Sequence, residues 1–484
     1  MQRDTRNWIL VLVLLAVSVF VIRITGPADL EDNSQSRNVG YAMDLTEHGH
    51  WLVQHDLQGR ILSKPPLHTW LIGVLAVPFG LNRLTLVLPS FLAVLAMTLL
   101  VFGMGRRHFG LLAGGIAGLS VIMAPMLWRH VGLVRSDAVF SLAIAAGAFA
   151  AFLGWEKGGG WVWFWVCGAI AMLTKGPLGL LLAAAGLLAW FWENKTHGPA
   201  LRPRGRQFPG ILIFLMICLG WILPALWFHG HALIDKMIFQ ELLGHLGPGA
   251  DPQDISNKRS HLLEPTFNFL GKFAPFSLLA VCGIYRAFKN PAVDGTERRL
   301  ERFLTCWILF GLLVFSIASH HRADLLLPLW PAAALLAGRE GSRIFHKIGA
   351  VKSSWLAAAT CILLLCLAWG RYHPVLGKPL ESAAYSQTVR EAAGAFRKTG
   401  LDPSLIQYLE VPTTFQFYVG TANRLKLPSE ILTERKGRKE PVLVATRNSS
   451  LDPKVVGTAK ADEVFRWPID PTQVAVIRIF ELSE

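Results

Sequence analysis

Charge is scarce in this sequence: only 17% of its 484 residues are charged, against 52% hydrophobic, and the apolar residues run in long blocks instead of alternating with polar ones. That pattern excludes an ordinary soluble domain, disorder and collagen-like repeats. Cysteine is also sparse. Cys167, Cys218, Cys282, Cys306, Cys361 and Cys366 each sit inside an apolar run without metal-ligand spacing, which argues against a disulfide scaffold and against a zinc site built on cysteine. There is no internal repeat and no low-complexity tract. Without a Gly-rich phosphate loop, an ATP-driven transporter is unsupported. The formal net charge of +14 does not imply nucleic-acid binding, because the basic residues are scattered among short loops beside apolar spans, where membrane orientation explains them.

What the sequence does have is a series of blocks able to cross a hydrocarbon core of about 30 Å. They fall at roughly 8–25, 84–104, 110–127, 138–154, 160–174, 177–192, 210–228, 270–286, 303–319, 324–338 and 354–370, about eleven in all. The first block lacks a convincing small-residue cleavage site and reads as a retained helix. The stretch 67–80 is apolar but only about fourteen residues long, which suits a re-entrant or interfacial segment. With the N-terminus in the cytoplasm and 67–80 left outside, the inside loops carry Arg106 and Arg107, then Lys195, Arg202, Arg204 and Arg206, then Arg286, Lys289, Arg298, Arg299 and Arg302, then Arg339, Arg343, Lys347 and Lys352. This is a positive-inside pattern. Three longer polar segments, 26–66, 229–269 and everything after 371, then lie outside. The tail mixes a helix-like stretch (SAAYSQTVREAAGAFRKTG) with short β-rich runs (LIQYLE, PVLVATR, TQVAVIRIF), and reads as a small extramembrane α/β domain. The expected division is 1–373, a membrane domain whose first outer loop 26–83 holds re-entrant or interfacial helices, and 374–484, the α/β domain.

Several polar residues need explaining. Asp29, Glu31 and Asp32 lie just past the first helix, where carboxylates can orient or deprotonate an acceptor or hold a metal; the plain alternative is that an outer loop carries charge because water is there. Lys64 precedes Pro65-Pro66 and can neutralise a lipid phosphate. Asp137, after Arg135, opens a span and is a functional candidate or an ordinary N-cap. Lys175 lies in a Gly-Pro turn and either serves a site or reaches headgroups. In SHHRADLLLPLWP the adjacent His320 and His321 cannot face the same way on a helix, which leaves Arg322 as a fork for phosphate oxygens. Glu241 and His245 share a helical spacing but have no third ligand nearby.

Taken in order, LSKPPLHTWLIG, LVLPSFLAVLAMTLLVFGMGRRHFG, VRSDAVFSL, AMLTKGPLGLLL and FSIASHHRADLLLPLWPA resemble the polytopic glycosyltransferases of the protein O-mannosyltransferase and aminoarabinose transferase superfamily. The resemblance covers roughly residues 8–370. It implies a GT-C type α-helical membrane protein, with about 11 to 13 transmembrane helices, in the bacterial inner membrane. It also implies inverting transfer of a sugar from a polyprenyl-phosphate donor, such as undecaprenyl phosphate, to lipid A, another glycolipid, a glycan or a protein on the periplasmic face. By resemblance, Lys64 contacts the carrier phosphate and Asp137 supports the acceptor side; Arg322 would help Lys64 offset the charge of the leaving phosphate. The family's first-loop Asp-Glu pair does not match directly: Ser34 and Gln35 stand in its place, Asp32 is the nearest carboxylate, and Arg37 keeps the family arginine. Arg135, Lys175 and Glu241 are candidates for positioning donor or acceptor. No nucleotide is expected, and Glu31 and Asp32 are the residues that would hold Mg²⁺ or Mn²⁺. The competing readings are a transporter or flippase for a lipid-linked saccharide and a non-catalytic relative that binds the carrier.

Overall fold

The structure, a computed structural model of the chain, describes residues 2–27, 30, 33–197, 205–237, 262–318, 322–373, 381–435, 441–447, 460–468 and 476–483. The chain forms two compact units, Met1–Thr25 with Ser63–His68 and Val87–Tyr372, and Gly26–Leu62 with Thr69–Leu86 and His373–Glu484. Gly26–Leu62 and Thr69–Leu86, most of the first outer loop, thus belong to the unit that holds the tail. The helices, in order, are α1 Gln2–Thr25, α2 Asn33–His48, α3 Leu67–Phe79, α4 Arg83–Phe109, α5 Leu111–Met123, α6 Pro125–His130, α7 Asp137–Lys157, α8 Trp161–Lys175, α9 Leu178–Ala184, α10 Ala189–His197, α11 Phe208–Ile234, α12 Glu264–Lys272, α13 Phe276–Lys289, α14 Gly295–Ile317, α15 Trp330–Ile348, α16 Ala350–Tyr372, α17 Glu381–Arg397, α18 Thr413–Val419 and α19 Pro428–Arg435.

Among the described residues, six helices are long and apolar enough to cross a membrane, or seven if α12 and α13, bent by 119°, count as one broken span. The other apolar blocks form shorter pieces. Ala124 is extended ahead of Pro125, so the block 110–127 stops as a helix at Met123. The block 177–192 breaks into α9, a 3₁₀ turn at Ala185–Leu188 and α10, and the block 324–338 begins as a 3₁₀ segment, Ala323–Leu329, before α15. The 67–80 segment is the 13-residue α3; at 1.5 Å per residue it spans about 20 Å, short of a full crossing. Short helices inside a bundle pack closely through small residues. A Cβ on Gly338 of α15 would meet the Ala113 carbonyl oxygen of α5 at 2.4 Å, so the two backbones touch there.

Many of the arginines counted as loop charges are inter-helix ion pairs. Arg298 of α14 donates to Glu193 of α10 from Nε and Nη2 at 2.9 and 2.8 Å, and Arg302 donates to the same carboxylate. Arg299 pairs with Glu156 of α7, and Arg339 of α15 with Glu297 and Glu301 of α14. Glu193 and Arg302 are both buried.

The second unit contains a four-stranded sheet in the order β1-β2-β4-β3, from β1 Gln407–Glu410, β2 Val442–Thr446, β3 Lys460–Trp467 and β4 Ile477–Ser483; β1 and β2 are parallel and the other pairs antiparallel. Strand side chains alternate between faces. Ala445 and Ile479 join Val389 and Phe396 of α17 and Phe415 of α18 in one core, while Val442, Val444 and Phe480 pack with Ile431 of α19 in another. The loop after α1 is tied into this unit: the Ala422 N–H donates to Glu47 of α2 at 2.7 Å, and the Leu425 N–H to the Leu57 carbonyl at 2.6 Å.

Glu193→Ala strands Arg298 and Arg302, and removing one member of a buried pair costs about 3–5 kcal/mol. A clear fall in the thermal unfolding midpoint of the detergent-solubilised chain is expected; an unchanged midpoint would mean the pair is not load-sharing.

Candidate active site

In the membrane unit, ionisable side chains from four separate stretches gather around two carboxylates. Asp137 is the first residue of α7. It does not cap the helix, because Ser136 occupies the N-cap; the Asp137 carboxylate instead receives Nζ of Lys175, the last residue of α8. Gly176, at φ 97°, ends α8 behind that lysine in a conformation that favours glycine. Lys175 is therefore committed to the site and not merely reaching for headgroups. Nε of Arg135 lies 4.0 Å from the other Asp137 oxygen, and Lys64, in the K-P-P segment, acts on the same carboxylate electrostatically.

The second carboxylate is Asp324, in the 3₁₀ segment ahead of α15. It accepts Nη1 of Arg135 at 2.6 Å and Nη2 of Arg322 at 3.1 Å, with Nη1 of Arg129 at 3.6 Å and Nε2 of His130 at 3.9 Å. Arg135 thus links the two carboxylates. Its backbone is held as well, since Ser90 Oγ of α4 donates to the carbonyls of Leu133 and Arg135 at 2.7 and 3.2 Å. Arg322 is half-exposed, whereas Arg135, Asp137 and Asp324 are buried.

Among the described residues, Lys64, Arg129, Arg135, Lys175 and Arg322 bring five positive charges to the cluster, and Asp137 and Asp324 bring two negative ones. Two histidines add no charge at neutral pH. Burial pushes the His68 imidazole down to about 4, against the pull of Asp137 and with the help of Lys64, and burial likewise holds His130 below its ordinary value. His68 Nε2 is buried without a hydrogen-bond partner among the described residues. A partly buried cluster of cations of this kind is built to receive an anion.

The structure thus brings together Lys64, Arg135, Asp137, Lys175 and Arg322 from the sequence reading. Arg37 lies partly buried on α2 in the other compact unit, where Gln35 is fully buried. Asp29, Glu31, Asp32, Glu241, His245, His320 and His321 lie outside the described residues. Sequence reasoning passed over His68, Arg129 and His130 and gave Asp324 no role. The available signals were a histidine four residues after Lys64, the basic pair in LWRHVGLVRSD, and a carboxylate two residues after Arg322.

The chain is similar to several known proteins. Residues 63–223 match the family described as dolichyl-phosphate-mannose-protein mannosyltransferase. The undecaprenyl phosphate-alpha-4-amino-4-deoxy-L-arabinose arabinosyl transferase of Enterobacter sp. (strain 638) is 24% identical over 372 residues, covering 70% of this chain and 62% of the relative; that of Erwinia tasmaniensis is 22% identical, covering 73% and 65%. The alignments thus span slightly under two thirds of the length of these curated relatives. Among solved structures, ArnT from Cupriavidus metallidurans bound to undecaprenyl phosphate superposes with a TM-score of 0.71 at 17% identity, covering 98% of each chain. The Archaeoglobus fulgidus oligosaccharyltransferase superposes at 0.56 with 12% identity, covering 91% of this chain and 69% of its own. The chain is an integral membrane protein with the GT-C fold.

The depressed His68 pKa makes stability depend on pH. Between about 4 and its ordinary value of 6.5 the unfolded chain binds a proton at His68 that the folded chain does not, so stability falls as pH drops through that window. His68→Gln is expected to flatten the fall in thermal midpoint between pH 6.5 and 4; a slope identical to wild type would show that His68 does not contribute.

Proposed function

We propose that this GT-C-fold relative of the aminoarabinosyl and protein mannosyl transferases moves a sugar from a polyprenyl-phosphate carrier to an acceptor at the periplasmic face of a bacterial inner membrane, with its N-terminus in the cytoplasm and its tail in the periplasm. The observation that carries the reading is the gathering of Lys64, Arg135, Lys175 and Arg322 around Asp137 and Asp324, which suits a phosphate whose charge grows during reaction.

In the transfer, an acceptor oxygen attacks the anomeric carbon, the bond from that carbon to the phosphate oxygen breaks, and the polyprenyl phosphate leaves with the electron pair. A single displacement inverts the anomeric configuration. Lys64 and Arg322 take the leaving phosphate, with Arg135 and Lys175 held beside them. Asp137 is engaged by Lys175 and flanked by Arg135, so it serves as a positioning residue for cations and not as the proton acceptor. That shifts the role of base to a first-loop carboxylate, Asp32, with Arg37 orienting the acceptor and Glu241 a further candidate for that task. The side chains neutralise the phosphate without a nucleotide. Dependence of turnover on Mg²⁺ or Mn²⁺ would assign part of that work to Glu31 and Asp32. Acceptors of the matching class are lipid A, another glycolipid, a glycan or a protein.

Release of polyprenyl phosphate from a labelled polyprenyl-phosphate sugar, measured in proteoliposomes with cell-envelope extract as acceptor, tests the reading. Lys64→Ala and Arg322→Ala each remove a charged hydrogen bond of about 1.5–3 kcal/mol, so turnover is expected to fall roughly 10- to 100-fold. Asp32→Asn is expected to abolish turnover while carrier binding survives. Binding without release by wild type would point to a carrier-binding protein, and movement of intact labelled lipid between leaflets would point to a flippase.

A further inference from the structure

The turn between α2 and the loop behind it gathers three histidines around one carboxylate, and none of these residues belongs to the cation cluster. Asp44, on α2, is buried. Its Oδ1 lies 3.0 Å from Nδ1 of His48, one helical turn further on, and 2.9 Å from Nδ1 of His50. Gly49, with φ 71°, turns the chain sharply after the helix so that His50 meets the carboxylate that His48 already meets. The other oxygen, Oδ2, accepts the backbone N–H of His55 at 2.8 Å, and Nδ1 of His55 stands 3.6 Å from it.

The ligand atoms of Asp44, His48 and His50 all lie within 4.8 Å of one another, and both imidazoles are about half exposed, at 46% and 51%. Two imidazole nitrogens and a carboxylate oxygen make a donor set that suits Zn²⁺. Ligands about 2.0–2.1 Å from a tetrahedral ion stand roughly 3.3 Å apart, so an ion needs the present 2.9–3.0 Å separations to open only slightly. The His55 backbone N–H fixes Oδ2, which turns Oδ1 toward the two imidazoles in the way an outer partner orients a ligand.

We propose that Asp44, His48 and His50 form a Zn²⁺ site with a solvent-facing fourth position, clipping the end of α2 to the loop that follows. The site goes beyond the transferase reading and does not depend on it.

The test uses the full-length chain without a histidine tag, in detergent, stripped with a chelator and titrated with Zn²⁺ or Co²⁺ alone. One Zn²⁺ per chain, a visible Co²⁺ spectrum of tetrahedral type, and a Zn²⁺-dependent rise in thermal midpoint are expected. His48→Ala and His50→Ala should each weaken binding by more than the roughly 10- to 100-fold that loss of an outer partner of a metal site costs. Both side chains are half-exposed, so the metal-free variants should melt with wild type; if His48→Ala does not fold, His50→Asn decides on the same readouts. Absence of stoichiometric Zn²⁺ in wild type, or wild-type affinity in the folded variants, would overturn the proposal.

Discussion

The bridge from Arg135 to two carboxylates is the interaction on which the membrane unit's chemistry depends. Five cations drawn into one partly buried cluster would repel one another and remain costly to desolvate. Asp137 and Asp324 relieve that cost without cancelling it. Because the participating groups come from the K-P-P segment, the stretch before α7, the end of α8 and the 3₁₀ segment before α15, the same ion pairs that lower the desolvation cost also fix how these four stretches meet.

Helix α7 has a second anchor near its other end. Asp137 begins the helix and Glu156, nineteen residues later, pairs with Arg299 of α14. At 1.5 Å per residue the two carboxylates stand about 28 Å apart along the axis, close to the thickness of a hydrocarbon core of about 30 Å. Between them α7 is almost entirely buried and rich in alanine and phenylalanine. The apolar stretch sets how far apart the charged layers lie, and the ion pairs hold each layer together.

The two compact units use different physics. In the membrane unit, close backbone approach at small residues and buried ion pairs join helices that lipid alone would not drive together. In the other unit, a sheet with apolar side chains on both faces provides the core, and the loop after α1 joins it through backbone hydrogen bonds at Leu57 and a carboxylate contact at Glu47. Which unit that loop joins is not readable from its own residues, because its partners Ala422 and Leu425 lie more than three hundred residues away. Nothing in its local periodicity reports a hydrogen bond to Leu425.

Hydropathy was enough to establish a polytopic helical protein, because an apolar block of membrane length is a local property of the chain, and the short β-rich runs after the last block marked the α/β tail. The ordered segments around Lys64, Asp137, Lys175 and Arg322 were legible for the same reason: each is a short motif read in place. Whether a block forms one span or two bent pieces was not legible, since Pro125, Gly176 and the 3₁₀ starts act through backbone geometry that hydropathy does not record. The assignment of partners was also beyond the sequence. Asp137 could have been an N-cap and Lys175 a headgroup anchor, and only packing of α7 against α8 made them a pair. Composition and order along the chain determined what kind of protein this is; tertiary structure decided which charges neutralise each other, because electrostatic energy depends on distance in space and not on separation in sequence.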